Sequence, residues 1–137
     1  LPPVDIEQQF RRAVLNLLIR NQDDHVKNIA FLMDRSGAWR LSPAFDVAYA
    51  YNPSGAWTSR HQMSLNSKRD GFDLEDLVAF GAVCGFKRRR TLGVVSEIAE
   101  RVRNWPTYAG EAGVYEPDAE RINGTLRLDL TLTHRRT

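Results

Sequence analysis

The sequence predicts a mainly helical domain that carries a small β-hairpin. Three observations lead there. Apolar residues recur at three- and four-residue steps in several separate segments, which is the signature of helices with one buried face. Strand-like apolar runs pair convincingly at only one place, across a short turn with a glycine. The chain of 137 residues, 42% of them apolar and 26% charged, has material for one modest core and therefore one domain over residues 1–137.

Leu1-Pro2-Pro3 is a stiff lead-in. From Asp5 onward Ile6, Phe10, Ala13, Val14, Leu17 and Leu18 line one face of a helix, with Asp5 as its expected N-cap and Asn21 as its terminator in a left-handed conformation. Ile29 to Met33 and Ala38 to Leu41 flank Asp34-Arg35-Ser36-Gly37 and form the hairpin. Phe31, Trp39, Leu41 and, beyond it, Phe45 are expected in the core. Residues 48–72 are irregular, with one short strand expected over Gln62 to Asn66. Asp73 caps a helix that runs to about Cys84, with Leu74, Leu77, Val78 and Phe80 inward, Glu75 and Asp76 in its first turn, and Gly85 as its stop. A second helix spans about Thr91 to Asn104 with Leu92, Val95, Ile98, Ala99 and Val102 on one face. A looser stretch, Trp105 to Glu116, leads to a third helix from about Pro117 to Leu130 that Gly124 interrupts. Leu1 in place of methionine is what an excised piece of a longer polypeptide would show.

The chemistry concentrates in Asn21-Gln22-Asp23-Asp24-His25-Val26-Lys27-Asn28, where Val26 is the only apolar residue. Burying so many charges without partners is costly, so the octet belongs at a surface or in a polar cleft. Asp23 and Asn28 have the D-x-x-x-x-N spacing of a protein-kinase catalytic loop. Such a loop aims a carboxylate at an incoming hydroxyl while its far end turns an amide oxygen toward a metal and the nucleotide. A second acidic ligand is needed beyond a short hairpin, and Asp46 in Ala44-Phe45-Asp46-Val47 stands there. Asn28 with Asp46 suits magnesium, which takes one or two carboxylates and leaves other positions to phosphate and water. His25 and Lys27 bring positive charge near a transferring phosphate. The plainer alternatives are a structural Asp24 pointing away from Asp23, a His25 bonded to a backbone carbonyl, and a solvated Lys27.

These residues, with Leu41-Ser42-Pro43-Ala44-Phe45-Asp46-Val47, Met63-Ser64-Leu65-Asn66-Ser67-Lys68-Arg69 and Leu74-Glu75-Asp76-Leu77, resemble the C-terminal region of HipA-type toxin kinases over most of residues 6–104. The resemblance implies the C-terminal lobe of a kinase fold related to phosphatidylinositol kinases, acting with ATP and magnesium on a protein substrate. It implies Asp23 as catalytic base, His25 near the phosphates, and Asn28 and Asp46 as metal ligands. It also implies a bacterial, cytoplasmic toxin paired with a helix-turn-helix antitoxin that binds DNA. The chain departs from the family in lacking a glycine-rich phosphate loop, a Val-Ala-Ile-Lys strand lysine and the inhibitory serine. The isolated chain is therefore expected to phosphorylate nothing unaided.

Two rivals come from other classes. One is a module that grips an antitoxin or DNA without catalysis, for which Lys87-Arg88-Arg89-Arg90 offers four consecutive bases, Arg135-Arg136 being a tail. The other is a metal-dependent phosphoesterase on Asp23, Asp24 and His25, which needs more converging ligands than the sequence offers, since His61 and His134 are expected to lack a carboxylate beside them. A net charge of +2 gives no general case for nucleic acid. The single Cys84 excludes an internal disulfide and suits a reducing compartment. No apolar run has membrane length and no leader pattern opens the chain.

Overall fold

The computed structural model describes residues 1–130. Helix α1 (Pro3–Leu18) packs against helix α3 (Arg88–Arg103), and helix α2 (Leu74–Val83) packs against α3 as well. Phe10, Val14, Leu17 and Leu18 from α1 meet Leu77 from α2 and Val94, Val95, Ile98, Ala99 and Val102 from α3. Phe10 is fully buried, with the Phe80 ring 5.5 Å away and the Phe86 ring edge-on at 5.3 Å. The predicted faces are largely the observed ones, but Ile6 at the start of α1 is exposed, Leu74, Val78 and Phe80 on α2 are only half-buried beside the buried Leu77, and on α3 Val94 is buried while Leu92 is only partly so.

The hairpin is strands β1 (Phe31–Met33) and β2 (Trp39–Leu41), antiparallel, with Leu32 opposite Arg40. Its apolar side chains are not core. Phe31 is 46% exposed, Trp39 54% and Phe45 44%, while Leu41 is half-buried. Strand patterning shows which residues could face a layer, but two strands alone do not supply that layer.

Both ends of α1 differ from expectation. Pro2 occupies the N-cap and Pro3 starts the helix, where a missing N–H costs nothing, so no side chain caps it. Asp5 lies one turn in and is buried, and it binds the hairpin. It accepts from Arg40 Nε at 2.8 Å, Arg40 Nη2 at 3.0 Å and the Leu41 N–H at 2.9 Å. At the other end Arg20 takes the left-handed conformation (φ 55°), and Asn21 pairs with Ala50 in a parallel bridge. The bridge is made by Gln22 N–H to Ala50 O and Ala50 N–H to Arg20 O.

Residues 48–72 are irregular, and no strand forms over 62–66, where only a two-residue turn bridges Leu65 to Lys68. Asp73 does cap α2, in a reciprocal capping box with Asp76. Gly85, at φ +83°, ends it. Helix α3 begins at Arg88, earlier than expected, so the basic run falls at its N-cap and first turn. Carboxylates there offset the unfavourable dipole: Arg88 binds Glu75 through both Nη atoms at 2.6 Å, and Arg90 reaches Glu7. The stretch after Trp105, expected to be loose, is helix α4 (Trp105–Glu111), because Pro106 is tolerated in a first turn. Helix α5 (Glu116–Asn123) stops at Gly124 instead of continuing to Leu130. Arg135, Arg136 and His134 lie outside the described residues. Among the described residues no helix is long and apolar enough to cross a membrane.

Candidate active site

The octet leaves α1 as extended chain and closes with one 3-10 turn, Val26–Asn28. That turn places the Asn28 amide where both its hydrogens are used. Asn28 Nδ2 donates to the Asp23 carbonyl at 3.1 Å and to Asp46 Oδ2 at 2.8 Å. Its Oδ1 is therefore the atom available to a cation. Asp46 is held from behind, since Asn21 Nδ2 donates to the Asp46 carbonyl at 3.1 Å and to Asn16 Oδ1 at 3.1 Å. Asp46 sits at φ 53°, a conformation uncommon for a residue with a Cβ but tolerated best by Asn and Asp.

Asp23 is about half exposed, and its Oδ1 lies 3.6 Å from His25 Nε2. His25 makes no bond to a backbone carbonyl; its Nδ1 is buried without a hydrogen-bond partner among the described residues. Lys27 is exposed on the same turn. Thus Asn28 and Asp46 touch, Asn28 also holds the Asp23 backbone, and Asp23 faces His25. A cavity of about 120 Å³ has His25, Asn28, Asp46, Leu65 and Phe72 in its lining, together with Asp24 rather than Asp23.

Asp24 points away from Asp23, and this corrects the expectation that His61 lacks a carboxylate. His61 Nδ1 is 2.8 Å from Asp24 Oδ2, and Asp24 Oδ1 accepts from the Gln62 N–H at 2.9 Å. Burial alone would raise the Asp24 carboxyl, but the His61 contact and the backbone donors of Gln62 and Met63 outweigh it and hold the group below the usual carboxylate range. Among the described residues no group of three His, Cys, Asp or Glu side chains could hold a metal ion.

A model of the HipA-like C-terminal domain matches residues 1–105. The chain belongs to the HipA-like C-terminal domain family. Its fold is similar to HipA of Shewanella oneidensis MR-1, solved as a complex of HipA, HipB and operator DNA, with a TM-score of 0.67 at 21% identity. That likeness covers 95% of this chain and 31% of the Shewanella chain, so the present chain spans about a third of the solved HipA. HipA is a kinase-like fold, and the HipA-like chain described here has the same mainly helical architecture with its hairpin. Comparison with curated protein sequences finds no match. Asn16 carries no sequence signal of its own; its bond to Asn21 joins it to the Asp46 backbone, 25 residues beyond Asn21, and His61 meets Asp24 across 37 residues, separations that leave no local pattern.

Proposed function

We propose that this chain is the catalytic-loop part of a HipA-like Ser/Thr protein kinase, moving the γ-phosphoryl group of ATP to a protein hydroxyl with magnesium. The observation that carries the reading is the 2.8 Å contact between Asn28 and Asp46. The donor set there fits magnesium: one carboxylate and one amide oxygen, both hard, on an open surface that leaves room for phosphate and water. A magnesium ion held by Asn28 and Asp46 would offset negative charge on the phosphates. Asp23 takes the proton of the acceptor hydroxyl. The new O–P bond forms as the bond from the γ-phosphorus to the β–γ bridging oxygen breaks, giving a phosphoprotein and ADP with the proton left on Asp23. His25 supplies a ring nitrogen and Lys27 an ammonium to the transferring group.

A nucleotide normally needs a pocket of roughly 300 Å³ or more, well above the 120 Å³ cavity beside the octet. The chain alone should therefore bind Mg-ATP weakly. The test is transfer of labelled phosphate to protein, first by the isolated chain and then by the chain joined to a HipA-type nucleotide-gripping lobe. Activity is expected only in the second, and Asp23→Asn should lower it by about 10²–10⁴-fold, the usual worth of a general base. An unimpaired Asp23→Asn variant would move the base role elsewhere.

A partner role accompanies this reading. Because Shewanella HipA assembles with HipB and operator DNA, we infer a helix-turn-helix antitoxin as a partner and a cytoplasmic setting. DNA contact would be indirect or through residues 87–90, where Arg88 and Arg90 are already engaged by Glu75 and Glu7. A phosphoesterase is disfavoured, because Asp24 is turned onto His61 and away from Asp23 and His25.

A further inference from the structure

The octet is anchored from outside the family-matched residues, by one buried arginine. Arg127 follows α5, is 6% exposed, and its backbone N–H donates to the Leu18 carbonyl at 2.9 Å. Its guanidinium reaches four acceptors. Nη1 donates to the Leu17 carbonyl at 3.2 Å and lies 2.7 Å from His61 Nε2; Nη2 donates to Gln22 Oε1 at 3.2 Å and to Asp70 Oδ1 at 2.6 Å.

A guanidinium has donors and no acceptor. His61 Nε2 must therefore accept, so the ring proton is on Nδ1, and Nδ1–H donates to Asp24. Gln22 and Asp24 are the two neighbours of Asp23. Arg127 thus grips one directly and the other through His61, and Asp23 hangs between two fixed points.

We propose that Arg127 and His61 are positioning residues for Asp23, with Arg127 selecting the His61 tautomer that locks Asp24. This rests on the reading of Asp23 as catalytic base, and it assigns a role in that site to a segment beyond residues 1–105. Fixing a base in this way matters because a displacement of about 1 Å can cost on the order of 10²-fold in rate.

The experiment uses the isotopically labelled 137-residue chain. Long-range imidazole ¹H–¹⁵N spectra should show His61 with its proton on Nδ1; a proton on Nε2 overturns the proposal without any substitution. In Arg127→Met the tautomer preference should fall at least tenfold and the Asp23 and His25 amide signals should move, while Arg127→Lys restores both. A folded Arg127→Met with unchanged tautomer and amides overturns it. Should Arg127→Met not fold, Asp70→Asn loosens the guanidinium from its exposed end, and Asp23 signals that stay put in that variant overturn the proposal equally. These signals are readable whether or not phosphate is transferred. Asp23→Asn, which should lower transfer by about 10²–10⁴-fold, should leave the His61 tautomer intact, so the failure of either reading is visible separately.

Discussion

Asp46 combines a strained backbone with an exposed carboxylate, and the two can be separated experimentally. A residue with a Cβ at φ 53° gives up about 1–2 kcal/mol relative to glycine. The Asp46–Asn28 hydrogen bond is solvent-exposed and returns about 0.5–1.5 kcal/mol. These nearly cancel. Asp46→Gly should therefore unfold within about 1 kcal/mol of the parent in urea, yet lose the proposed cation site. Titrating Mn²⁺ as a paramagnetic stand-in for magnesium should broaden signals of residues 28 and 46 in the parent chain and not that of residue 28 in Asp46→Gly. Equal broadening at Asn28 in both would place the ion elsewhere. The same residue shows how far a sequence reading reaches: the Asp46 carboxylate is legible from its place after the hairpin, whereas the left-handed backbone and the Asn21 bond that aim it are not. Asn21 looks like a helix terminator by local rules, and its actual partners, Asn16 and the Asp46 carbonyl, are fixed only by tertiary structure.

Between elements, two contacts decide how α1, α2, α3 and the hairpin meet. Helices α2 and α3 approach closely at Gly81, where a Cβ would stand 2.1 Å from Thr91 Oγ1 and 2.9 Å from its Cγ2. Gly→Ala in a helix interior ordinarily gains about 1 kcal/mol, but overpacking a buried contact costs about 1–3 kcal/mol or more. Thr91 is fully buried and cannot swing away. Gly81→Ala should thus be net destabilising in urea unfolding. Paired with Thr91→Ala, which removes the obstructing atoms, it should cost clearly less than the two single losses added together. The second contact is Asp5 with Arg40. The Arg40 hydrogen bonds, then the Leu41 N–H, lower the Asp5 pKa from 3.8 to about 2. A carboxylate depressed on folding stabilises above its unfolded value and loses that contribution as pH falls from near 4 through about 2. Urea midpoints of the parent chain should therefore fall toward those of Asp5→Asn across that window, and parallel curves would show that Asp5 contributes no such linkage. Helix faces were readable because their 3.6-residue period repeats within one segment. Asp5 reads as a cap by local rules because its true partner, Arg40, is 35 residues away, beyond the reach of any local pattern.

For the whole molecule, the question is whether the chain beyond the family-matched residues is an appendage or part of the core. Helices α4 and α5 pack against each other and α4 touches the end of α3, an arrangement that on its own would look like an add-on. The chain then turns back. Leu126, Leu128 and Leu130 pack on the cluster formed by α1, α2 and α3, and Arg127 fills the space between the end of α1, His61 and Asp70. None of this is legible in the sequence, where residues 117–130 read as one helix that Gly124 interrupts. Ending the chain after Gly124 would remove three partly buried leucines and bare the core surface they cover, each worth about 1–1.5 kcal/mol. It would also leave His61 Nε2 and the Leu17 and Leu18 carbonyls without their present donors, at about 1–3 kcal/mol for each group that water cannot reach. The total, about 5 kcal/mol or more, is comparable to the lower end of the whole stability of a domain this size, about 5–15 kcal/mol. A chain of residues 1–124 should accordingly melt more than about 10 °C below the full chain, or lose its cooperative transition altogether, when followed by circular dichroism. A truncated chain with an unchanged melting temperature would show that the core closes without this segment.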